Sequence, residues 1–174
     1  MSDQTPAPLD DATRQWLRHT VATLAYRAGK VLRDAPGGFG DVRASPSSRS
    51  AAEILGHMVD LLAWGERLAR GEYRWEAGGV ADWSTGVTRF FDGLAALDRA
   101  LVESTAPLSA EVLFQGPIAD ALTHTGQLAL LRGVAGAAVR PESYARAAIT
   151  GGRVGVDQAA PGREFDGDAS RPAR

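Results

Sequence analysis

Asp120 and His124 stand four residues apart in DALTHTGQLALLR, the stretch that begins at Asp120. On a helix that spacing puts both side chains on one face, one turn apart, with β-carbons roughly 5–6 Å from each other. A carboxylate and an imidazole so placed can share a divalent ion, whose ligand atoms must converge to about 2.0–2.2 Å. One further ligand from a neighbouring helix would complete such a set. His57, in SAAEILGHMVDLLAW, lies three and four residues from Ile54 and Leu61 and is angled toward the same interior. Three protein ligands leave positions open for water or substrate, the arrangement of catalytic metal sites; structural zinc sites are closed by four.

Each residue also has an ordinary reading. An aspartate in the first turn of a helix is favoured by the macrodipole without any ligand role. A single histidine beside an apolar stripe also reads as a hydrogen-bonded core residue. The third histidine, His19, sits among polar neighbours with no partner at i+4 and falls outside the site. No general base is evident, so the catalytic residues are unknown. Glu53 and Asp60 are the nearest carboxylates to His57 on its helix. Glu53 is assigned to the helix cap and Asp60 to solvent.

The elements that must position these side chains follow from apolar spacing. A loose arm over residues 1–8 precedes a helix from Leu9 to about Asp34, stopped by the Pro-Gly-Gly of APGG. Ser50 and Glu53 have the capping-box spacing that opens a second helix, and Gly71 closes it. A third helix is expected from about Asp82 to Glu103. A fourth begins at Pro117, a residue suited to the first helical position, and ends near Gly136. PESYARAAI adds a short fifth helix, and residues 151–174, rich in Gly, Pro and Asp, form an extended tail. No segment alternates with period two. The expected fold is all-α: a four-helix bundle over residues 9–150 with a short extra C-terminal helix. Trp64, Trp75 and Trp83 gather near the end of helix two, as a pocket wall or contact surface. EVLFQGP, residues 111–117, matches a picornaviral cysteine-protease recognition sequence. As an exposed loop it would be cut between Gln115 and Gly116.

Bulk composition narrows the classes. The chain has 174 residues, enough for one domain with a real core, and its 44% hydrophobic and 23% charged content is that of a soluble globular protein. The net charge of −2 comes without a basic block, so the electrostatic footprint of a nucleic-acid binder is missing. No run approaches the ~18 apolar residues of a membrane span. The absence of cysteine removes thiolate chemistry and Cys-based metal sites, and makes the cytosol the expected compartment. Any transition metal must be held by nitrogen and oxygen.

Over about residues 10–150 this layout resembles the DinB-like family of small four-helix-bundle proteins. The likeness rests on the histidine of SAAEILGHMVDLLAW and on the second motif, a His-x-x-x-His pair followed by Gly-Gln, Leu and Arg. Here His124, Gly126, Gln127, Leu128 and Arg132 fit that motif, and Asp120 replaces its first histidine. The resemblance implies a divalent ion (nickel, zinc, manganese or iron) on His57, Asp120 and His124, with a small-molecule substrate such as a low-molecular-weight thiol. It also implies pairing as a homodimer and an up-down-down-up helix order. That order opposes helices two and four and demands an offset before His57 can reach Asp120 and His124. Hydrolysis or thiol transfer is the implied reaction class. Two other readings stand beside it: a non-haem-iron site, which uses the same two-histidine, one-carboxylate donors, and a non-catalytic binding or scaffold bundle that has lost the ion.

Overall fold

In the computed structural model, residues 7–79 and 82–165 are described, and they are all-helical with no strand among them. The expected arm and tail lie partly outside these residues. The long elements are α1 (Asp11–Leu32), α2 (Ala51–Ala69) and α3 (Trp83–Glu103), followed by α4 (Ala110–Leu113), a π turn (Phe114–Ile118) and α5 (Ala119–Val134).

Local chemistry sets most of the boundaries. Asp10, Ser50 and Asp82 accept from the backbone N–H three residues on, at Thr13, Glu53 and Thr85, satisfying donors that the first helical turn leaves open. Glu53 returns the bond to Ser50 N at 2.7 Å, so its carboxylate is occupied as the cap expects. Gly71 follows α2 at φ 85°, a left-handed conformation that a β-carbon would oppose. The core stripe of α2 (Ile54, Leu55, Met58, Leu61, Leu62 and Leu68) is buried throughout.

Pairs of contacts give the helix directions. Arg18 meets Asp98 at 2.9 Å, and Gly29 further along α1 meets Phe91 earlier on α3, so α1 and α3 are antiparallel. Leu62 lies against Gly93 and Gly65 against Leu97, which makes α2 and α3 parallel. Gly65 also lies against Pro117, while His57 faces Asp120 three residues later, so α2 and α5 oppose each other. Trp16 packs on Phe114 and Arg132 donates to the Val31 carbonyl, so α1 and α5 run together. The order is up-down-down-up.

The fourth helical rod departs from expectation. It starts at Ala110 rather than Pro117, and Pro117 lies inside it, buried in the π turn. Proline has no N–H to give the ladder, and a single π turn absorbs that loss without ending the helix. Residues 111–117 are thus helical and not a loop. The earlier start supplies the offset that antiparallel helices require, because Asp120 and His124 come to lie mid-rod, level with His57. Two glycines hold this register. A β-carbon at Gly116 would meet the Trp64 ring at 3.0 Å, and one at Gly65 would meet Pro117 at 3.3 Å.

One smaller expectation is also corrected: the short fifth helix is one 3-10 turn, Tyr144–Arg146. Beyond α5 the chain folds back over α1. Ser143 N and Phe165 N donate to the Arg163 and Pro141 carbonyls, closing a pair around Glu142 and Glu164.

Candidate metal centre

α2 brings His57 and α5 brings Asp120 and His124 to one place, where a ligand atom from each lies within 4.8 Å of the other two. His57 Nε2 is 3.4 Å from Asp120 Oδ2, and His124 Nε2 is 3.4 Å from Asp120 Oδ1. These separations exceed the usual 2.7–3.2 Å of an N–H···O bond. The two contacts run to different oxygens of Asp120, so its carboxylate lies between the imidazoles with one oxygen toward each. The two imidazoles meet edge to face, centroids 4.9 Å apart and planes at 87°. Two imidazole nitrogens and a carboxylate are a donor set that suits a borderline divalent ion such as zinc or nickel.

His124 is the most enclosed of the three, with its side chain 11% exposed, against 25% for His57 and 43% for Asp120. Its Nδ1 donates to Gln127 Oε1 at 2.7 Å, leaving the Nε2 lone pair facing the other two residues. Such an outer partner holds the ring orientation and raises ligand basicity. Gln127 was visible in the sequence as part of the second motif, but its task was not. Its i+3 spacing from His124 is the signal that could have shown it.

The macrodipole account of Asp120 loses its basis here. Ile118 and Ala119 are themselves helical, and the Ala119 N–H is bonded back to the Phe114 carbonyl. Where α5 begins there is no open helix end for a carboxylate to complement.

Asp60 is a correction of a different kind. It is buried rather than solvated, and it accepts from Gly78 N at 3.0 Å and from Gly79 N at 3.2 Å. A buried carboxylate with backbone donors is a structural anchor, and it is turned to the loop rather than to the triad. What it anchors matters to the site. The loop carries Trp75, whose ring lies 5.8 Å from that of His57 and 5.7 Å from that of Trp64. Trp64 and Trp75 thus wall one side of the centre, whereas Trp83 packs separately on Phe39. His19 stays exposed and apart from the site. Among the described residues no helix is long and apolar enough to cross a membrane. No family model, curated protein or solved structure matches the chain.

Proposed function

We propose that the chain is a four-helix bundle of DinB-like type in which His57, Asp120 and His124 hold one divalent ion, and that it is a metal-dependent enzyme of hydrolysis or low-molecular-weight thiol transfer. The observation that carries this reading is the convergence of one ligand atom from each of the three residues, on two antiparallel elements, to within 4.8 Å of one another. Support comes also from the helix order, which is the one the resemblance implies, and from Gln127 in its orienting position.

Bound at such a centre, a divalent ion lowers the pKa of a coordinated water to about 7 or polarises a substrate oxygen. The protein's own part is positional. Gln127 keeps the His124 lone pair inward, and Asp120 brings the negative charge that a cation needs. Trp75, held through Asp60, shields His57 from one side. Three ligands leave room for a substrate atom.

Elemental analysis of protein purified without chelator or nickel resin tests the proposal. One divalent ion per chain is expected, lost in His124→Ala. Undiminished stoichiometric binding by that variant defeats the assignment. Recovery of iron, with Fe(II)-dependent oxygen consumption, moves the reaction to oxygenase chemistry on the same donors. Absence of bound metal, together with a melting temperature unchanged by added Zn²⁺, Ni²⁺ or Mn²⁺, favours the non-catalytic bundle.

A further inference from the structure

His124 belongs to two features at once. Besides closing the triad, it lines a surface cleft of about 440 Å³ together with Gln127, Ile54, Leu130 and Arg49. That volume falls within the roughly 300–1,000 Å³ of small-molecule sites. Ile54 and Leu130 supply apolar wall, and Leu130 is 66% exposed, a large aliphatic side chain left facing the opening. Arg49 supplies the only full charge among these wall residues. Its surroundings set it apart from the neighbouring Arg43, which pairs with Glu53 at 2.8 Å and donates to the Ser48 carbonyl. Arg49 has no ion pair, hydrogen bond or ring contact among the described residues.

A guanidinium presents a planar fork of donors that matches the two oxygens of a carboxylate or phosphate. Set on the wall of a partly apolar cleft that a metal-ligand candidate also lines, it selects by charge and by length. We infer that this cleft takes a small molecule with a terminal oxyanion on a short apolar body, the oxyanion held by Arg49 and the other end directed toward His124. This names a substrate class for the metal centre proposed above and rests on that reading.

Hexanoate, hexyl phosphate and 1-hexanol, titrated into the 174-residue chain, test it by calorimetry. The chain is first stripped of metal with EDTA, so that an anion cannot simply ligate the ion. The two oxyanions should bind at least tenfold more tightly than hexanol. Arg49→Gln should reduce them to the level of hexanol, and Arg49→Lys should restore part of the difference. Preference for hexanoate identifies a carboxylate ligand, and preference for hexyl phosphate a phosphate one. The inference is overturned if neither oxyanion binds, if hexanol binds equally well, or if Arg49→Gln leaves both affinities unchanged. Zn²⁺ uptake, followed by dialysis on the same samples, separates the two claims. Uptake with Arg49-independent anion binding removes the cleft alone; Arg49-dependent binding without uptake removes the metal centre.

Discussion

Two clusters of charge lie at different places on this fold, and they are built to opposite ends. Where the C-terminal segment crosses α1, Glu142 accepts from the Tyr26 hydroxyl at 2.6 Å, from Lys30 Nζ at 2.9 Å and from Gly162 N at 3.2 Å. Lys30 also reaches Glu164 at 2.6 Å. The Glu142 side chain is fully enclosed, and both its oxygens have donors. Burial alone would raise its pKa, but the bonds from Tyr26 and Lys30 outweigh that and hold it below the ordinary carboxylate value. Burial and the bond to Glu142 push the Tyr26 hydroxyl well above its usual range. At the triad, the described residues place two imidazoles beside Asp120, at distances too long for good hydrogen bonds, and it is partly open to solvent. One cluster carries its own cation and is a clasp. The other gathers two imidazoles and a carboxylate with no lysine or arginine paired to them among the described residues.

The sharpest way to break the comparison is to open the clasp. Glu142→Ala leaves the Lys30 ammonium, 10% exposed, beside Glu164 alone and strands the Tyr26 hydroxyl. Removing one partner of a buried pair costs about 3–5 kcal/mol. Urea denaturation should show a loss near that size, with Zn²⁺ uptake at the triad retained. As the metal site proposed above, the triad should behave in the reverse manner. Free Zn²⁺ at 100 times Kd should raise stability by about 2.7 kcal/mol. His124→Ala should abolish that increment, and an unchanged increment in this variant would remove the distinction between the clusters.

Gln127→Ala should weaken metal binding by about 10- to 100-fold while its clasp stays intact. Equilibrium dialysis checks this, and an unchanged Kd would deny Gln127 its orienting task. The clusters should also part company with pH. Lys30 is opposed by burial but raised on balance by its bonds to Glu164 and Glu142. A depressed carboxylate contributes stability above its unfolded value of 4.5, lost as pH falls through the lower folded value. A raised lysine contributes below its unfolded value of 10.5, lost as pH rises through the higher folded one. The clasp is therefore whole from about pH 5 to 10. Metal affinity should instead fall as the pH is lowered, because a coordinating imidazole must be neutral and protons compete with the ion for its lone pair. Dialysis and denaturation series from pH 7.5 to 5 would show both, and parallel profiles would contradict the assignment. The smallest effect concerns the rod that carries Asp120 and His124. The picornaviral protease should leave the Gln115–Gly116 bond intact in folded protein and cut it after denaturation, as gel electrophoresis would show.

Much of this was legible along the chain, because much of it is local. The apolar stripe of α2, the Ser50–Glu53 cap, the Asp82 start of α3 and the Asp120–His124 pairing depend on residues within a turn or two of one another. Asp60 was misread because a carboxylate within a helix gives no local sign of the backbone donors that come to it from Gly78 and Gly79. The start of the fourth rod was misread because Pro117 satisfies two rules equally. It suits a first helical turn, and it suits a π turn inside a helix. Packing against Gly65 chose between them.

By itself, then, the order of residues determined that helices form, where most of them begin and which face of each is apolar, since these are set by backbone donors and side-chain spacing over a few residues. Tertiary structure alone decided that α2 opposes α5 and that His57 arrives level with Asp120 and His124. It decided as well that Glu142 closes on Tyr26 and Lys30, more than a hundred positions away. Those contacts depend on how whole helices slide and turn against each other, and that is fixed only when the core they share is filled.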